Sequence, residues 1–416
     1  MRIAPLRSLL LLLWATVTAS YEKCTYCPQY STEEALRRFR DAVDNVYAGQ
    51  EDAVEAISKV LTHNIVAHSA DATSGGGGGG GGGGSAPLAA RPLLLHFTGP
   101  TGVGKTLMSV LLQDSLFITE CGVRKIQLDI SYKLTSRSGQ IERTDNVKRA
   151  VVRQLERCPR SLIIFDDFQF APELMMMSLR EAFDEYHYTL SHRDQLVSTT
   201  HAIFIFCSDL EGEQRHLSVD MTMAEARAKV SELAGEQWKN VDQSSAFGRL
   251  FVSAGMVPFV PLSESELRKV IRIEINKLTP RVERYLQFNA NNATVAHNWL
   301  GKVRWNEKRL DPAILGLLGE DIEAYNARAV RNLVERTLLV HATDIAVCLL
   351  RHSMSTSKRG WFYGYTVHLL NDIIVDDVDD GHQFTVKVGD VACIGKGATD
   401  GHLSVVYPGY GPRGEL

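Results

Sequence analysis

Apolar residues recur along this chain in two rhythms. From Ser31 to Val46 (STEEALRRFRDAVDNV) they return at helical spacing behind a Ser or Thr cap, with Glu in the first turn, which predicts an amphipathic helix. A second helical pattern runs from Glu51 to His68, after a turn at Ala48 and Gly49. Between residues 93 and 262 the rhythm changes: short apolar runs at 93–98, 124–130, 161–165, 201–207 and 256–260 alternate with helical stretches. Runs of that kind suit strands buried on both faces, and their alternation with helices predicts an α/β fold, a parallel sheet covered by helices. Beyond Pro261 helical spacing returns at 265–277, 312–318 and 326–347, predicting a small α-helical domain. From Trp361 shorter alternating runs, 384–388 and 404–407, predict a β-containing tail.

Other features divide the chain further. Residues 1–20 have a positive start (Arg2, Arg7), an apolar core from Leu9 to Trp14 and a small-residue exit at Val17, Thr18 and Ala19. This reads as a secretory signal peptide cut near Ala19 or Ser20, with an uncleaved membrane-associated segment as the alternative. The expected divisions are thus 1–20, a Cys-containing segment and helix at 21–45, a large α/β domain at 46–262, the helical domain at 263–352 and the tail at 353–416. An unbroken glycine run from Gly75 to Gly84 buries nothing, and reads as a flexible surface insertion rather than a boundary. The net charge of −4 over 416 residues, with no basic aromatic-interleaved patch, argues against nucleic acid as a partner.

The chemistry is concentrated in LLLHFTGPTGVGKTLM, residues 93–108. A strand pattern runs into Gly99, Pro100, Thr101, Gly102, Val103, Gly104, Lys105 and Thr106, which satisfy GxxxxGK[ST], and then into a helix. Such a loop turns successive N–H groups toward one phosphate at the positive end of the helix. Lys105 is expected to reach the terminal phosphates of ATP and Thr106 to hold Mg²⁺. About sixty residues on, the apolar run at 161–165 ends in Asp166 and Asp167. Beside a phosphate loop this suits Mg²⁺ binding by Asp166 and polarisation of an attacking water by Asp167. Asp167 is one methylene shorter than the glutamate usual at such a position.

Of seven cysteines, Cys24 and Cys27 form a CxxC pair that reads as a local disulfide or redox pair. Cys121, Cys158, Cys348 and Cys393 are scattered, and Cys207 reads as a buried small hydrophobe. Asn292, Ala293 and Thr294 form a glycosylation sequon, and the terminal Arg413–Leu416 faintly resembles a retention signal of the endoplasmic reticulum. These signs place the mature chain in that lumen, with secretion or another endomembrane compartment as the alternative.

Over about residues 31–345 the motifs, taken in order, resemble the torsins, luminal Clp-like AAA+ ATPases. Val46–Gln50 (VYAGQ) resembles the family's entry segment at the adenine pocket. The GPTGVGKT loop, the IIFDD strand, IFIFCSD at 203–209, VPFVPL at 257–262 and VIRIEI at 270–275 follow. The CxxC and Cys158 also fit. The resemblance implies an ATP hydrolase that remodels protein complexes or supports membrane organisation, using ATP and Mg²⁺. It further implies a homo-oligomer or a membrane-anchored activator, protein clients, and peripheral membrane association.

Several positions depart from the torsin pattern. Asn326, Ala327 and Arg328 resemble the Gly-Ala-Arg sensor of Clp ATPases, whereas torsins carry Gly-Cys-Lys, so Arg328 is expected at the γ-phosphate, coupling nucleotide state to domain angle. Asp209 stands where a phosphate-sensing Asn is usual. A carboxylate there repels phosphate unless protonated or turned away, leaving Ser208 as the alternative. The stretch 129–145 lacks the aromatic-glycine pore loop of Clp unfoldases, with Tyr132 its only aromatic residue. Arg249 lies near the arginine-finger position. Two rival readings follow: a nucleotide-dependent binding module with little turnover, and a Clp-like unfoldase of another organelle.

Overall fold

The computed structural model describes residues 27–74, 91–184, 187–209, 217–238 and 255–277, with shorter stretches from 280 to 406. The leader, Cys24, the glycine run, Arg249, the sequon and the terminal residues lie outside them. The chain divides into two compact units, one built from Met1–Asn45, Gln50–Pro100 and Gly104–Pro261, the other from Val46–Gly49, Thr101–Val103 and Leu262–Leu416.

The first unit centres on a parallel sheet of five strands: β1 (Leu93–Thr98), β2 (Val123–Gln127), β3 (Leu162–Asp166), β6 (Ile203–Ser208) and β7 (Met256–Pro258). Their spatial order is β2-β3-β6-β1-β7. The register sets Leu93 beside Ile203, and Gln127 beside Asp166. The β3 strand is buried along its whole length, as a central parallel strand covered on both faces requires. Its Phe165 stacks on Phe206 at 5.1 Å between ring centroids, and Phe168 meets Phe206 at 4.7 Å. Each such side chain contributes about 1.5–3 kcal/mol by leaving water.

Helices cover this sheet. They are α1 (Thr32–Val46), α2 (Glu51–Ser74), α3 (Lys105–Leu116), the short α4 (Ser131–Leu134), α5 (Arg137–Arg157), α6 (Glu173–Leu179) and α7 (Met223–Gln237). A capping box opens α7: the Thr222 hydroxyl accepts from the Glu225 N–H, and the Glu225 carboxylate accepts from the Thr222 N–H. The run expected as a strand over 124–130 ends at Gln127. The Asp129 carboxylate accepts from the Ser131 N–H and pulls the chain into α4. A hairpin of β4 (Thr189–His192) and β5 (Gln195–Ser198) was not foreshadowed by any apolar run. It packs by burying Leu190 and by a His192–Asp145 contact of 3.0 Å.

The second unit contains α8 (Glu264–Asn276), capped by Ser263, and α9 (Ala327–Leu333). It also holds a mixed sheet in the order β14-β13-β12-β11-β9 and a strand pair β8–β10. Here β8 (His297–Trp299) and β9 (Val303–Trp305) lie between the helical patterns of the domain expected at 263–352, and they pair with tail strands β10 (Val367–Leu369) and β11 (Ile373–Val378). The remaining strands are β12 (Phe384–Val388), β13 (Val391–Gly395) and β14 (Leu403–Val406). Two short Trp- and Val-containing runs thus act as partners for the tail strands. No helix among the described residues is long and apolar enough to cross a membrane.

His96 on β1 is fully buried and shares a 2.8 Å hydrogen bond with the Ser208 hydroxyl at the end of β6. Burial, with a smaller contribution from the Lys105 charge, lowers its pKa to about 3 from 6.5. The folded chain therefore keeps His96 neutral while the unfolded chain protonates it below pH 6.5, so stability falls as pH drops from 6.5 toward 3. Going from pH 7 to pH 5 removes roughly 2 kcal/mol through this group. Urea titrations at both pH values will show a pH-dependent loss smaller by that amount in His96→Gln.

Candidate nucleotide-binding site

The phosphate loop follows β1 and enters α3 at Gly104, whose φ of 103° favours glycine. Lys105 is folded onto the loop, its Nζ donating to the Gly99 and Pro100 carbonyls at 2.6 Å each. The ammonium is thus held over the loop, within its own reach of an arriving phosphate. Thr106, in the first turn of α3, donates its hydroxyl to Asp166 Oδ1 at 3.0 Å. Helix start and strand end therefore meet through one hydroxyl and one carboxylate. Both groups are hard oxygen donors, and that donor set fits Mg²⁺.

Asp167 follows with φ 56°, a left-handed backbone uncommon outside glycine, which turns its carboxylate away from the strand direction. Two amides then hold it: Gln127 Nε2 donates to Oδ2 at 2.6 Å, and Gln169 Nε2 to Oδ1 at 3.3 Å. Gln169 also accepts from the Asp209 N–H at 3.1 Å. One glutamine therefore links the carboxylate read as water-polarising to the end of β6. Ser208, the alternative phosphate sensor, is buried and committed to His96, which removes it from that role.

Lys125, Gln127 and Gln169 escaped the sequence reading. The available signal was weak: Lys125 and Gln127 are polar residues two apart, on one face of a strand otherwise expected to be apolar.

Gln50, which opens α2, binds the chain after β7 in both directions. Its Nε2 donates to the Val260 carbonyl at 2.5 Å and its Oε1 accepts from the Val260 N–H at 3.1 Å.

In the second unit Asn326 accepts from the Leu262 N–H at 3.1 Å and donates to the Thr101 carbonyl at 3.5 Å. Gly102 has φ +85°, and a Cβ there would strike the Tyr325 carbonyl and come within 3.2 Å of Arg328 Cβ. The loop's central glycine and Arg328 are therefore immediate neighbours.

The CxxC expectation needs correcting. Cys27 is disulfide-bonded to Cys158, 131 residues away, with Cα atoms 5.9 Å apart. Cys121 is also disulfide-bonded. Residues 28–30 lie along the end of α3, where Ile118 N donates to the Pro28 carbonyl and Tyr30 N to the Leu116 carbonyl, both at 3.1 Å. That backbone pairing carries Cys27 to the turn after α5. Buried Cys207 is free, as expected, and burial raises its pKa.

Tyr132 is partly buried against the core beneath the Arg143 guanidinium, 4.8 Å from the ring centroid. It therefore acts as a packing residue at this position.

The strand order, the phosphate loop and the paired carboxylates together define a P-loop fold of the AAA+ type. The chain is similar to Clp-type AAA+ chaperones. It is 24% identical over 379 residues to chaperone protein ClpB 2 of Synechocystis sp., covering 88% of this chain and 36% of that protein. It is 23% identical over 335 residues to the mitochondrial chaperone protein ClpB3 of Oryza sativa subsp. japonica, covering 78% of this chain and 30% of the relative. The chain thus spans about a third of the length of these curated relatives. A closed-state cryo-EM reconstruction of Hsp104 with ATPyS and FITC casein shares the fold, with a TM-score of 0.53 and 16% identity. That match covers 86% of this chain and 52% of the other. No family model matches the chain.

Proposed function

We propose that this chain is a Clp-type AAA+ ATPase that hydrolyses Mg·ATP to remodel protein assemblies. The Thr106–Asp166 contact at 3.0 Å carries the reading, because it closes the phosphate loop onto the acidic end of β3. Lys105 and the loop N–H groups bind the phosphates, Thr106 and Asp166 hold Mg²⁺, and Asp167 orients the attacking water. Arg328, beside Gly102 within the second unit, is assigned the γ-phosphate from its Clp-like Asn-Ala-Arg motif alone, and Asp209 stands just after the end of β6. Mg²⁺, when bound, neutralises charge on the phosphate oxygens. The ClpB chaperone relatives and the Hsp104 reconstruction with casein support polypeptide as the substrate class, and the family resemblance adds an oligomer as the working form. Packed Tyr132 disfavours a threading grip built on that residue.

A second reading, a torsin-like enzyme of the endoplasmic reticulum lumen with a membrane-anchored activator, is favoured by the Cys27–Cys158 disulfide. Such bonds persist in oxidising compartments. Phosphate release by the purified chain across a range of protein concentrations tests the proposal. A specific rate that climbs with concentration supports self-assembly. ATP binding with turnover only on adding a luminal membrane fraction supports the activator. Binding without turnover in either setting returns the chain to a nucleotide-dependent binding module.

A further inference from the structure

We infer that Lys125 is a built-in counter-ion of the metal-binding carboxylate and sets how strongly nucleotide binding depends on a divalent ion. The inference rests on the nucleotide-site reading above. Pairing of Gln127 with Asp166 puts the side chains of Lys125, Gln127 and Asp166 on one face of the sheet. Lys125 Nζ reaches Asp166 Oδ2 at 2.8 Å, while the Thr106 hydroxyl lies nearest the other oxygen, 3.0 Å from Oδ1 and 3.3 Å from Oδ2. The Asp166 side chain is only 8% exposed, so its charge needs a partner close at hand. The Lys125 side chain is 41% exposed, which leaves it free to swing away.

Two consequences follow from Coulomb's law. Lys125 and a divalent ion compete for one carboxylate, since two cations a few ångströms apart repel by several kcal/mol at protein-surface dielectric. Lys125 therefore weakens the site's hold on the metal. Without a metal, the same ammonium cancels a carboxylate that would otherwise face the triphosphate and repel it. Lys125 therefore permits binding of ATP unaccompanied by Mg²⁺.

The test is mant-ATP anisotropy on the full chain in EDTA and in Mg²⁺, for wild type, Lys125→Met and Lys125→Arg, with Mn²⁺ titration of the ATP-saturated proteins followed by EPR. Lys125→Met is expected to weaken metal-free binding about tenfold, leave Mg·ATP binding within about twofold, and reach half-saturation at about tenfold lower Mn²⁺. Lys125→Arg, which keeps the charge, is expected to follow wild type, and circular dichroism verifies the fold of both. Equal losses with and without metal would overturn the inference by making Lys125 a phosphate ligand, and unchanged metal dependence would overturn it outright. Failure of wild type to bind mant-ATP in either buffer would instead overturn the nucleotide-site reading itself, and this inference with it.

Discussion

Asp167→Asn is expected to cut ATP turnover by about 10²- to 10⁴-fold while Mg·ATP binding persists, the span typical of losing a positioned general base. The geometry explains the separation. The proposed binding groups are separate from Asp167: Lys105 donates to the Gly99 and Pro100 carbonyls, and Thr106 donates to Asp166. Asp167 is held by the amides of Gln127 and Gln169, and asparagine fills the same space without the charge that attracts a water proton. Its nitrogen can no longer accept from an amide, so part of the loss reflects misplacement of the side chain. Single-turnover phosphate release and equilibrium binding on one sample separate the two effects. Wild-type turnover in this variant would move the water-activating role to another group.

Cys27→Ser is expected to destabilise the folded chain by about 2–4 kcal/mol. The bond closes a loop across 131 residues, and long loops lose the most chain entropy when cross-linked in the unfolded state. The bond also anchors residues 28–30, whose other ties include two backbone hydrogen bonds at 3.1 Å, the Gln29 Nε2 contact to the Arg160 carbonyl at 2.6 Å and the Arg38 guanidinium 4.1 Å from the Tyr30 ring centroid. Cys158→Ser will cost about as much as Cys27→Ser, and the double variant little more, because both remove one interaction. Urea denaturation of the oxidised protein measures this. Coincident midpoints for wild type and both variants would contradict a stabilising role for the bond.

The sheet was legible because burial on both faces leaves an unmistakable sequence mark: LLLHF, LIIF and IFIF can hardly sit anywhere but in a core. The glycine turn after β1 and the acidic end of β3 were equally legible, since each is written in consecutive residues. The β4–β5 hairpin was not, because QLVS is largely exposed and its turn depends on a left-handed Arg193 at φ 53°. Lys125 and Gln127 acquire their roles only through the β2–β3 register, and Gln169 only through the left-handed turn at Asp167. The cysteine pairing was misread for a related reason. Sequence spacing puts Cys24 beside Cys27, but the strap along α3 delivers Cys27 to Cys158, and only the folded path reveals it.

The most direct measurement is calorimetric titration of the purified chain with ATP in Mg²⁺, against Lys105→Ala. Saturable one-to-one binding that Lys105→Ala loses is the predicted result, because that ammonium lies against the carbonyls of the proposed phosphate loop. Absence of ATP binding by the wild-type chain, or identical binding by Lys105→Ala, would contradict a nucleotide site at this loop.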